Sequence, residues 1–291
     1  MIHFMKYYWV YFVISGLVII LGLYSLLNYG LKLSIDFTGG TLLEFQLQDP
    51  NKFTQTDLEK QLTELNIESN SIKQENDTYI VKTKTFDQAT NTLLQQKIAS
   101  VASSTITEKR FETLGPTFGA ETLRRALTAL LLATIVILFF VWKQFKDKKY
   151  GICAVLAMLH DTLVVLGVFS LLGHFWGVEI DTLFMTALLT ILSFSVHDTI
   201  VVYDRIRESS RKLSHIPYET LINKAVNETL GRSVNNSMTI IFMLLALYLL
   251  GGDTTKWFVF ALLVGTISGT YSSTFTAAPL LVLWDKTFKN K

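Results

Sequence analysis

Cysteine occurs once in this chain, at Cys153, so no disulfide can form within it, and the redox compartment stays open. Proline occurs four times, and the regular spacing of elements between those prolines argues against disorder. A net charge of +2 is too small for a nucleic-acid binder. No Ser/His pair, paired-Asp arrangement or HExxH word is present, so nothing supports an intramembrane enzyme. Two His-Asp dipeptides occur in apolar surroundings, His160-Asp161 and His197-Asp198. Adjacent residues point about 100° apart on a helix, whereas metal ligation wants i and i+4, so neither metal nor cofactor is expected. A soluble His-Asp hydrolase would need further His and Asp residues that these segments do not supply.

What the chain has in quantity is apolar residues in long runs. Half of its 291 residues are apolar, which is ordinary. Their distribution is not, because about 20 consecutive apolar residues cross a hydrocarbon core. Such runs fall near 7–27, 123–142, 152–175, 180–203, 233–250 and 257–284. The first is too long for a signal-peptide core and lacks a small-x-small exit, so it reads as an uncleaved span. Lys143, Lys146, Lys148 and Lys149 lie between spans two and three, and Arg205, Arg207, Arg211, Lys212, Lys224 and Arg232 between or beside spans four and five. Lys286, Lys289 and Lys291 end the chain, and the loops after spans three and five hold only Lys256. Six spans with both termini cytoplasmic satisfy the positive-inside rule. Arg124 and Arg125 then begin span two on the outer side, where long stems snorkel to the interface.

The organisation expected is a first span over 1–28, an extracytoplasmic α+β domain over 29–122, and five further spans over 123–291. In the polar domain, Leu43, Phe45 and Leu47 alternate with Glu44 and Gln46 as in a strand. Thr54 is placed to cap a helix carrying Leu58, Leu62 and Leu65. Strands near 67–73, 78–84 and 106–114 and a helix over 86–101 complete a β-α-β-β-α-β order, that of the ferredoxin-like split βαβ fold. A cytoplasmic connector near 204–231 mixes charge with Leu213, Ile216, Leu221 and Ile222, which reads either as a surface helix or two or as a solvated link.

Charge inside a span costs about 2.5–3.5 kcal/mol for an Asp at a helix centre, so Asp161 in span three and Asp198 in span four are functional candidates by default. In span five, Arg232, Asn235 or Asn236, and Thr239 recur at helical spacing as one polar stripe. An Asp198–Arg232 pair across the bundle is expected. It serves either as interhelical glue or as a site where Asp198 loads and releases a proton as the Arg moves. The small-residue stripe Gly265, Ser268, Gly269, Ser272 and Thr276 of span six is assigned to helix packing.

Four segments then carry a resemblance. Residues 34–41, SIDFTGGT, resemble the DFxGGT signature of the SecD/SecF family, and residues 114–119, LGPTFG, its VGPxxG element. Residues 195–208, SVHDTIVVYDRIRE, resemble its NDTIVVxDRIRE motif, and 228–233, ETLGRS, with 260–273, its last two spans. On these segments the chain is similar to the SecF side of that family. The resemblance implies a polytopic α-helical membrane protein, a six-helix RND-type bundle with one α+β ferredoxin-like extracytoplasmic domain, in the bacterial cytoplasmic (inner) membrane. It implies late steps of protein export driven by the proton gradient. The implied partners are a SecD-like subunit, the SecYEG channel, a YajC-like protein, the translocating polypeptide and membrane lipid.

The resemblance places the proton relay on Asp198 and Arg232; His197, Asn235 and Asn236 are further candidates for a supporting role, and His160 and Asp161 either join the relay or brace the bundle. His197 departs from the family's Asn, and Ser193-Phe194 from its frequent Gly-Tyr. Asp36, Gly39 and Gly40 read either as a structural junction, since glycine permits φ > 0, or as a contact for a translocating chain. Two other readings stay open: an RND-type exporter of small molecules or lipids, and a membrane scaffold without transport chemistry.

Overall fold

The computed structural model describes residues 3–48, 53–75, 77–145, 147–213 and 215–288, so Lys146, Lys289 and Lys291 lie outside the described residues. It divides into two units: Met1–Lys32 with Leu127–Lys291, and Leu33–Ala126.

The smaller unit is built on a four-stranded sheet. Its elements run α2 (Ile35–Thr38), β1 (Gly40–Leu47), α3 (Gln55–Glu64), β2 (Ser69–Glu75), β3 (Thr78–Thr83), α4 (Gln88–Ala102) and β4 (Ile106–Leu114). The sheet order β2-β3-β1-β4, with every pairing antiparallel, is that of the ferredoxin-like fold. Alternation in β1 sends Leu43, Phe45 and Leu47 into the core, where they meet Tyr79 and Val81 of β3, Leu58 and Leu62 of α3, and Leu94 and Ile98 of α4. The Tyr79 hydroxyl donates to the Phe53 carbonyl at 2.7 Å, which satisfies the one polar atom its ring brings inside. Thr54 caps α3 in a reciprocal box with Asp57, and Asp87 caps α4.

The Gly39-Gly40 motif has a packing reason. Both residues have positive φ, 72° and 125°. A Cβ on Gly39 would stand 2.6 Å from Pro116 Cα, and one on Gly119 would stand 2.7 Å from the Gly39 nitrogen. Gly40 pairs with Leu114 across β1 and β4. The two motifs 34–41 and 114–119 are thus one contact, closed by backbones that no side chain separates.

The larger unit is a bundle of α1 (Tyr8–Tyr29), the part of α5 (Pro116–Phe145) from Leu127 onward, α6 (Lys148–Trp176), α7 (Thr182–Lys212), α8 (Tyr218–Leu250), and α9 (Asp253–Ser272) continued through a π-helical segment, Ser273–Ala277, into α10 (Ala278–Phe288); the first turns of α5 belong to the smaller unit. Among the described residues, six helical stretches are long and apolar enough to cross a membrane. Most of α5 is exposed, with Leu131, Leu132, Ile135, Val136, Phe139 and Phe140 turned outward, as suits a helix solvated by lipid.

Close approach is bought by small residues. Gly22 of α1 and Gly167 of α6 touch, so that a Cβ on Gly167 would stand 2.5 Å from Gly22 Cα, and the Ser25 and Ser170 hydroxyls bond at 2.7 Å one turn further on. The small-residue stripe of α9 packs as expected, with Gly265 on Ile191 and Gly269 on Phe194 and Ser195 of α7.

Over 204–231, α7 continues to Lys212 and α8 begins at Tyr218, so the expected connector is largely helical among the described residues. Leu221 and Ile222 are buried with Ala225 and Val226 in the bundle core, which pulls this stretch into the span helix. The charged residues fasten that end of the bundle. Arg205 bonds Glu208 and Glu228, each at 2.6 Å, and Arg207 bonds Asp204 and the Gln144 carbonyl. Two of the segments that carried the resemblance, 195–208 and 228–233, therefore meet at the Arg205–Glu228 pair.

Replacing Gly167 by Leu is expected to destabilise the detergent-solubilised chain by about 1–3 kcal/mol or more through overpacking. Gly16→Leu, with nothing within 4 Å of its Cβ position, is the matched control in the same unfolding titration. A second expectation concerns acid. The caps hold the Asp57 and Asp87 carboxyls below the usual carboxylate range, by hydrogen bonds from Thr54 and Thr90 respectively. Stability from a depressed folded pKa is present above the unfolded value and disappears as pH falls through the folded one. Amide exchange in the first turns of α3 and α4, corrected for intrinsic rate, should therefore accelerate below about pH 4.

Candidate functional site

Among the described residues, two carboxylates are buried in the bundle, Asp161 at 1% exposure and Asp198 at 3%. Asp198 sits on the face of α7 that buries Ile191, Ser195 and Val202, so helical periodicity alone carries it inward. The Ser233 hydroxyl of α8 lies 2.5 Å from each of its oxygens, and the Ser273 hydroxyl donates to Oδ2 from the start of the π-helical segment.

Asp161 of α6 has four neighbours. Ser195 of α7 and Ser272 of α9 both donate to Oδ2 at 2.6 Å. Ser268 donates to Oδ1 at 2.6 Å, and His160 Nδ1 stands 3.0 Å from the same oxygen. Charge-assisted bonds from hydroxyls offset part of the cost of removing a carboxylate from water. The Thr199 hydroxyl, buried next to Asp198 in sequence, has no hydrogen-bond partner among the described residues.

The expected ion pair between Asp198 and Arg232 is not made in this arrangement. No Lys or Arg lies within ion-pair distance of either carboxylate among the described residues, and Arg232 is exposed. The reason is helical geometry: α8 presents Ser233 to Asp198, and the neighbouring residue points about 100° away. Asn235, Asn236 and Thr239 are exposed with Arg232, so the polar stripe is real but faces out of the bundle. His197 is likewise exposed, on a stripe of α7 with Thr186, Thr190 and Ser193. His160 and Asp161 are brought together with the serines, whereas Asp36, Gly39 and Gly40 belong to the smaller unit.

Sequence reasoning missed the serines. Ser195 stands three residues before Asp198, and Ser268 and Ser272 sit in the stripe assigned to packing. Their spacing relative to the acids was the available signal, but which helix faces which is not written in it. A groove of about 340 Å³ between α1, α6 and α9 reaches this cluster, with Ile14, Ser15, Val18, His160, Ser268 and Tyr271 among its walls.

Comparison with known proteins fixes the family. The family model for the C-terminal part of the protein export membrane protein SecD/SecF matches residues 93–287, and the SecD/SecF GG motif matches residues 24–50. The chain belongs to the SecD/SecF family. A protein translocase subunit SecF from Thermobaculum terrenum is 41% identical over 98% of this chain and 94% of its own length. A second SecF, from Anaerolinea thermophila, is 38% identical over 95% of this chain and 92% of its own. Among solved structures, SecDF from Thermus thermophilus, described as a translocon-associated membrane protein, superimposes with a TM-score of 0.85 at 35% identity. That match covers 100% of this chain but 39% of the SecDF chain. The six-helix bundle is accordingly of the SecD/SecF, RND type.

Asp161→Ala would leave three serine hydroxyls and a histidine facing a void. At roughly 0.6–1.7 kcal/mol for each membrane hydrogen bond, the expected loss is about 2–7 kcal/mol in a detergent unfolding titration. Arg232→Ala is expected to change the stability of the isolated chain by less than about 0.5 kcal/mol, because the residue is exposed and makes no ion pair among the described residues.

Proposed function

We propose that this chain is the SecF-type subunit of a bacterial protein-export complex and that it couples the proton gradient to late steps of translocation. It acts in the cytoplasmic membrane with both termini inside and the α+β domain outside. It works with a SecD-like bundle beside the SecYEG channel, a YajC-like protein and the translocating polypeptide. The observation that carries this reading is Asp198: a carboxylate buried in a span, bonded to hydroxyls and unmatched by a cation among the described residues. A residue of that cost in lipid is the mark of an ion or proton pathway.

The polar stripes support the partner. Thr186, Thr190, Ser193 and His197 of α7, and Arg232, Asn235, Asn236 and Thr239 of α8, are exposed on spans that meet lipid if nothing covers them. Lipid is a poor solvent for an arginine and two amides, whereas a second bundle supplies hydrogen-bond partners. The Thermus protein joins SecD and SecF in one polypeptide more than twice as long as this chain, which supports a SecD-like bundle as the missing cover.

A rotation of α8 by about one residue would exchange Ser233 for Arg232 opposite Asp198. Arg232 beside Asp198 favours the carboxylate and releases a proton, and its withdrawal favours reloading. One charge crossing 100 mV yields about 2.3 kcal/mol, enough to bias such an equilibrium by roughly fiftyfold.

Asp198→Asn is expected to slow proton-driven completion of export at least tenfold in vesicles carrying the whole complex, at unchanged protein level. Full export by this variant would leave a scaffold as the better reading. Topology is tested separately in a Cys153→Ser background. Cysteines at Lys148 and Lys256 should react with an impermeant maleimide from opposite sides of the membrane.

A further inference from the structure

We propose that Asp161, with His160, is a second proton-carrying station in series with Asp198. This rests on the reading of Asp198 as a proton carrier.

Three observations converge. The first is the excess of the Asp161 environment over what a brace requires. Interhelical bonding in a span is achieved by serine or asparagine at far lower cost than by an acid. Here an acid collects Ser195, Ser268 and Ser272 from two other helices and a histidine from its own. Each hydroxyl can reverse, donating to an ionised carboxylate or accepting from a protonated one, so the cage serves both protonation states.

The second observation is the link between the acids. Ser272 donates to Asp161, and the next residue, Ser273, donates to Asp198. Consecutive residues point about 100° apart, so one point on the sixth span serves two carboxylates on two different helices. That point is where the regular helix gives way to the π-helical segment Ser273–Ala277, a distortion that recurs at functional sites. Ser195, which also donates to Asp161, stands on α7 three residues and about 4.5 Å of rise before Asp198.

The third is charge. His160 on α6 faces Asp161 and Tyr271 on α9 lies beside the His160 ring, while α1 contributes the Ser15 hydroxyl to the same groove. No Lys or Arg joins them among the described residues. Asp161 and Asp198 bond consecutive serines of the sixth span, so a change of charge on one is felt by the other. In the transfer itself, one proton leaves a carboxyl oxygen of Asp161 and one arrives on a carboxylate oxygen of Asp198. Ser195, Ser272 and Ser273 act as positioning residues. His160, whose Nδ1 stands 3.0 Å from Asp161 Oδ1, lines the groove between α1, α6 and α9.

The test is pH-difference infrared spectroscopy of the full chain in lipid vesicles, reading the carbonyl band of protonated carboxyl groups. Two buried acids should titrate in the parent chain. Asp161→Asn should remove one band and shift the midpoint of the other by about one pH unit, tenfold in proton affinity. Ser272→Ala, which keeps both acids, should shift the Asp161 midpoint without removing its band. That variant guards against misfolding of the Asn form. A titrating Asp198 beside a silent Asp161 overturns the second station alone. A silent Asp198 overturns the reading on which it rests, and the series with it. A band that answers sodium at fixed pH, and not pH itself, also overturns the inference.

Discussion

A carboxylate in a membrane interior must be compensated, and in this bundle the compensation comes from serine hydroxyls. Ser233 and Ser273 serve Asp198, and Ser195, Ser268 and Ser272 serve Asp161. This choice shapes the helix arrangement. A hydroxyl on a two-atom stem reaches an acid only if the helices are close, so α9 needs Gly265 and Gly269 where it crosses α7. An arginine would have reached from further away and fixed the charge. Hydroxyls hold the acid at short range without deciding its protonation state.

The same logic of backbone contact governs the smaller unit. Gly39, Gly40 and Gly119 allow the turn before β1 to lie against Pro116 at the start of α5. A contact made by main chain rather than by side chains has few alternative packings. The ferredoxin-like core then follows from ordinary alternation and capping, with Leu43, Phe45 and Leu47 on one face and Thr54 and Asp87 at the helix starts.

Much of the fold was legible because it depends on local periodicity. Run length gives spans, alternation gives β1, and Thr54 ahead of Leu58, Leu62 and Leu65 gives a capped helix. The connector over 204–231 was less so, because Leu221 and Ile222 are apolar whether they lie on a membrane surface or inside a bundle. The site was legible in its expensive members and illegible in its cheap ones. Asp161 and Asp198 announce themselves by cost. A serine costs little anywhere in a span, and nothing local distinguishes Ser233, which bonds an acid, from any other small residue.

The sequence by itself determined the spans, the order of the smaller unit and the two acids, since each rests on residue type and spacing along one element. The tertiary structure decided which residue of α8 meets Asp198. Arg232 and Ser233 are neighbours, and a 100° turn of one helix exchanges an ion pair for a hydrogen bond. That turn is set by how α8 packs against α7 and α9 over its whole length, a sum of contacts between segments far apart in the chain.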